Sequence, residues 1–183
     1  MALANLRRAA KLVQSFKRTS VDQSSEQVRA FDMKELIDDV LFALHGQLKK
    51  LPIEVLVQCP DGLRLDGMPG VLQQLLTNLL MNAVQHAFDS GTRAGRIDIL
   101  VSHRDGDVQL EFGDNGKGMD AAHLSRIFEP FYTTRRGQGG SGLGLYICYN
   151  IVTTQLGGTI NCQSQPEAGC RFVMKFPEQL SAR

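Results

Sequence analysis

Asn78-Leu-Leu-Met-Asn-Ala-Val-Gln-His-Ala87 lies inside a helix that the sequence predicts from about Pro69 to Phe88. Leu72, Leu75, Leu76, Leu79, Leu80 and Ala83 recur at helical spacing and would bury it deeply. Proline suits the first turn, where its missing donor costs nothing. Gln74, Asn78 and Asn82 nevertheless repeat at i, i+4 spacing, and Gln85 continues the stripe. A buried amide is costly unless it is hydrogen-bonded. An amide stripe on an apolar helix therefore predicts one wall of a polar cleft. Alone, it would equally suit a solvent-facing flank, so the other walls must be sought along the chain.

Two stretches downstream supply them. Phe112-Gly-Asp-Asn-Gly-Lys-Gly-Met119 ends a predicted strand with a carboxylate and then places Gly116 and Gly118, where a flat ligand can approach the backbone. Ionised Asp114 offers only acceptors, which suits an exocyclic amine and repels a carbonyl oxygen in the same place. Gly137-Gln-Gly-Gly-Ser-Gly-Leu-Gly-Leu145 then runs straight into a predicted helix. Glycine-rich backbone at a helix N-terminus presents free N–H groups and the positive end of the helix dipole, a cradle for phosphate. No Gly-Lys-Ser/Thr follows, so it is not a Walker loop, and no dinucleotide-type strand-turn-helix unit surrounds it. Either stretch alone could be a plain turn or a flexible loop; amide helix, Asp/Gly turn and Gly-rich helix start in this order are far more specific.

Together they resemble the ATP-binding (Bergerat) fold shared by histidine kinases, type II topoisomerases, mismatch-repair ATPases and heat-shock chaperones. Asn78–Ala87 looks like the N box, Asp114–Gly118 like the first G box, Phe128–Tyr132 like the F box and Gly140–Leu145 like the second G box. The likeness covers essentially Phe31 to Pro177, and histidine kinases match best. It implies ATP and Mg²⁺ as ligands, with Asn82 on the metal, Asp114 on adenine, and Gly116, Gly118 and Met119 around the base. Gly140, Ser141, Gly142, Leu143, Gly144 and Leu145 would frame the phosphates. Asn78 stands where hydrolysing relatives carry a glutamate that activates water. Asparagine is a poor base, which points to transfer rather than hydrolysis. Residues 118–142 would form a lid, from which Arg135 and Arg136 reach the phosphates, while Phe128 and Phe131 pack on the core. Three positions depart from the common pattern: Gln85 replaces a frequent lysine, His86 a frequent aromatic, and Cys170 a threonine beside adenine. A thiol donates weakly, which puts the usual water-mediated base contact in doubt.

Bulk properties agree with such a domain. The 183 residues are 43% hydrophobic and 21% charged with a net charge of +1, enough for one core and without a field that draws the chain to nucleic acid or an anionic membrane. Cys59, Cys148, Cys162 and Cys170 form no metal-like spacing, and no leader or membrane span is evident, so a reduced, cytoplasmic setting is expected. The predicted fold is an α/β two-layer sandwich whose mixed, mainly antiparallel sheet carries helices on one face. Residues 31–178 form the catalytic domain, and 179–183 a tail. Residues 1–30 read as a remnant of a dimerisation helix, because Leu3, Leu6, Ala10 and Val13 build one apolar seam; packing of that helix on its own domain is the alternative.

The resemblance further implies a histidine-bearing dimerisation domain and a response regulator as partners. His45-Gly, His86-Ala, His103-Arg and His123-Leu all lack the acidic residue that typically follows a phosphoacceptor. The chain is thus expected to bind Mg-ATP without autophosphorylating, and to dimerise weakly through its first helix. A module that binds ATP without phosphotransfer is the main rival, with serine kinases of the anti-sigma type and mitochondrial-type ketoacid dehydrogenase kinases as further ones.

Overall fold

A computed structural model describes residues 28–49, 51–89, 92–135 and 140–179. The predicted helix at Leu3–Ser20 lies outside the described residues, as does Arg136. β1 (Arg29–Asp32) leads directly into α1 (Met33–Leu48), and the Asp32 carboxylate caps that helix by accepting from the Lys34 and Glu35 N–H groups at 2.8 and 3.0 Å. Met33, Leu36, Ile37, Val40 and Leu44 form its buried stripe. β2 (Ile53–Gln58) and β3 (Arg64–Gly67) come next, then α2 (Pro69–Asn82), which has proline in its first turn.

β4 (Gly95–Arg104), β5 (Asp107–Asp114), β6 (Thr159–Ser164) and β7 (Cys170–Pro177) join β2 in a five-stranded sheet of order β2-β4-β5-β7-β6. Only β2 and β4 pair in parallel; the other three pairings are antiparallel. The chain alternates as a one-sided sheet must. Ile97, Ile99, Val101, Val108, Leu110, Phe112, Phe172, Met174 and Phe176 point to the helices and are buried. Arg96–Asp98 and Arg171–Glu111 pair on the outer face. This is the expected sandwich. β1 falls outside the predicted elements: it pairs antiparallel with β3 in a small second sheet.

α2 does not end as an ordinary helix. Ala83–Ala87 forms a wider π turn, closed by the Phe88 N–H donating to the Ala83 carbonyl at 3.2 Å. α3 (Ala121–Leu124) is a single turn, and α4 (Gly144–Asn150) passes into a second π turn at Ile151–Gln155.

Candidate functional site

A cavity of about 550 Å³ opens between α2, the ends of β5 and β7, and the start of α4. From the helix side, Asn78, Asn82, Gln85 and His86 line it; Gln74, one turn earlier on the stripe, does not. The π turn matters here, because Gln85 and His86 project from it. Asn78 is the unusual member: its Nδ2 is buried and has no hydrogen-bond partner in the protein. Such a donor costs about 1–3 kcal/mol until something accepts from it. His86 is partly buried. Burial, followed by the charges of Arg135 and Lys117, lowers its pKa and favours the neutral imidazole.

Asp114 stands at the opposite end. Its Oδ1 accepts from the Gly116 N–H at 2.9 Å; burial raises its pKa above the ordinary carboxylate value, while N–H groups of Gly116 and Cys170 pull it back. Gly116 itself packs against Ala87 rather than lining the cavity, and the neighbouring Lys117 N–H donates to the Ala87 carbonyl at 3.2 Å. The turn is thereby locked to the end of the amide helix. Gly118 adopts φ +63°, where an added Cβ would overlap the Gln165 carbonyl. Gly169, at φ +74°, presses equally closely on the Asp114 carbonyl. Gly118 and Met119 both face the cavity.

Of the second glycine-rich stretch, Gly140, Ser141, Gly142, Gly144 and Leu145 line the cavity, while Leu143 turns into the core at 5% exposure. Leu143 therefore anchors the helix start from behind. The Arg135 guanidinium donates to the Gln85 carbonyl, which puts a cation over the π turn where Gln85 itself supplies none. Phe128 packs on the core and against Tyr149, as expected. Phe131 does not: it is 48% exposed, because its positive φ of 67° beside the closely packed Gly142 directs it outward.

Cys170 lines the cavity, with its Sγ 3.3 Å from the Ser164 hydroxyl. Burial, then the Asp114 charge, raises its pKa to about 11, so it stays a neutral thiol. Lys117, His123, Tyr132, Thr133 and Thr134 also line the cavity, and the sequence marked none of them as a ligand contact. Lys117 had a signal, lying between the two glycines of the turn; its Nζ pairs with Asp89 at 2.7 Å. The threonines had none beyond proximity to the glycine-rich stretch.

The arrangement defines a class. Residues 67–180 match the family described as histidine kinase-, DNA gyrase B-, and HSP90-like ATPase, and the chain belongs to it. Within that family it is an ATP-binding domain of the sensor histidine kinase type. Sensor protein TorS of Escherichia coli (strain K12) is 35% identical over 82% of the chain and 16% of its own length. Sporulation kinase A of Bacillus subtilis (strain 168) is 33% identical over 81% of the chain and 23% of its own length. The chain thus spans about a fifth of these relatives. The catalytic domain of histidine kinase ThkA superposes with a TM-score of 0.73 at 28% identity, covering 84% of this chain and 97% of that one. A structure of histidine kinase ThkA in complex with response regulator protein TrrA superposes with a TM-score of 0.75 at 25% identity, covering 99% of this chain and 50% of that one.

Proposed function

We propose that the cavity binds Mg-ATP and that the chain is the catalytic domain of a two-component sensor kinase, passing the γ-phosphoryl group to a histidine on a dimerisation element. In this reading residues 31–178 form the catalytic unit and residues 1–30 lead into that element. Adenine lies against Asp114, Met119 and Cys170. The phosphates extend toward Asn78, Asn82 and the Gly140–Leu145 helix start. The observation that carries the reading is the convergence on one cavity of the Asn78 and Asn82 side chains, the Asp114 carboxylate and the glycine-rich start of α4.

The donor set fits magnesium. This ion takes oxygen ligands and keeps much of its shell from phosphate and water, so the amide oxygen of Asn82 suffices. Among the described residues no cluster of three His, Cys, Asp or Glu side chains forms a rival site. When bound, the ion would neutralise charge on the phosphate oxygens. Asn78 would orient a phosphate oxygen and cannot take a proton from water. Arg135, on the Gln85 carbonyl, and Lys117 supply positive charge near the helix wall. The ThkA–TrrA complex supports a response regulator as the onward acceptor. No described helix is long and apolar enough to cross a membrane.

The test is a calorimetric titration with ATP and GTP, in magnesium and in EDTA. Magnesium-assisted binding that prefers ATP is expected, and Asp114→Ala should weaken it by about a hundredfold, as loss of a charged hydrogen bond predicts. A parent chain that binds neither nucleotide would sink the proposal.

A further inference from the structure

Ser164 closes β6, outside the four sequence boxes, yet its hydroxyl joins three parts of the base end. Oγ accepts the Met119 N–H at 2.8 Å and donates to the Gly169 carbonyl at 2.7 Å. Its remaining neighbour is the Cys170 Sγ at 3.3 Å. A hydroxyl has one proton and two lone pairs. Its proton is committed to Gly169 and one lone pair to Met119, so the contact with Cys170 has one consistent direction: the thiol donates and Ser164 accepts. The S–H of Cys170 is thereby engaged inside the wall. What the sulfur has left for the cavity is its lone pairs.

We propose that Ser164 is a specificity-determining positioning residue: by drawing the Cys170 S–H away from the cavity, it leaves the wall beside Asp114 with acceptors alone, so the site selects a base edge carrying an amine over one carrying a carbonyl. The same hydroxyl holds Met119 and the Gly169 turn at a fixed separation, and so sets the width of the slot. The inference rests on the nucleotide reading above.

The test compares the parent with Ser164→Ala, Ser164→Thr and Ser164→Val, the last two being near-isosteric and both suited to a strand. Binding of adenosine, ADP, ATP and ITP is measured by calorimetry, with a melting curve for each variant. ITP carries a carbonyl where ATP carries the amine and, with it, an N1–H where ATP has an N1 lone pair. Ser164→Ala should weaken adenosine, ADP and ATP by the same factor, about tenfold, and should narrow the preference for ATP over ITP by a similar amount. Ser164→Thr should keep the affinity and the preference, and Ser164→Val should lose both. The Thr and Val pair carries the comparison even if the alanine variant fails to fold. A parent-like ATP-to-ITP ratio in Ser164→Ala or in Ser164→Val overturns the inference, as does a threonine variant no better than valine. A parent that binds neither adenosine nor ATP overturns the nucleotide reading, and this inference with it.

Discussion

At the Asp114 end of the cavity, the carboxylate, the Ser164 hydroxyl and the Cys170 thiol already hold protein partners, whereas at the other end the buried Asn78 amide has none. The base end is finished before any ligand arrives. The phosphate end keeps one buried donor, on Asn78, without a partner. The contrast separates two ways of making affinity. Preorganisation lowers the ordering cost on binding, while an unsatisfied donor destabilises the empty state and returns that energy on occupation. Specificity belongs to the first end and much of the coupling between binding and stability to the second.

The largest way to break this contrast is to disorder the finished end. Gly169→Ala places a Cβ against the Asp114 carbonyl at a left-handed backbone position. Strain and overlap together should cost about 3 kcal/mol of folding stability, read by urea denaturation, and base binding should be lost with it. A variant as stable as the parent would mean that the turn is looser than its geometry shows. At the unfinished end the sign reverses. Asn78→Leu removes the orphaned donor among leucines, so the empty protein should gain about 1 kcal/mol while ATP affinity falls about tenfold. Stability and affinity moving in the same direction would remove Asn78 from the phosphate end.

The smallest effect sharpens the comparison by pH. The folded state lowers the His86 pKa, so between that lowered value and the ordinary 6.5 the unfolded chain binds more protons. Stability therefore rises with pH through this window and falls as pH drops below 6.5. His86→Gln should flatten that slope in melts taken from pH 5 to 7.5, with little change at the upper limit. An unchanged slope would assign the titration to another group.

Much of this was legible because periodicity and glycine placement are local signals. The leucine stripe of α2 and the alternation in β4, β5 and β7 fix which faces meet, and the amide stripe marks the wall. The rest depends on partners distant in sequence. β1 is four residues long and gains its identity from pairing with β3. Ser164 ends a strand like any polar residue; only the packing of β6 beside β7 brings it to Met119 and Cys170. Gly116 and Leu143 belong to readable motifs, yet the motif does not reveal that one braces Ala87 and the other the core. Phe131 followed the usual rule for an aromatic until its backbone turned it outward.

The widened turn at Ala83–Ala87 also bears on heredity. Because the Phe88 N–H reaches back to Ala83, this stretch holds one residue more than regular α spacing requires. A codon lost here would restore regular α spacing and keep Ala87 against Gly116 and Phe88 against Gly95, whereas a codon lost in the regular helix before it would rotate everything beyond by about 100°. A codon exchanged here leaves that register intact. The widened turn is thus the one stretch of this helix wall where a residue can be exchanged or lost while the packing beyond it stays in register.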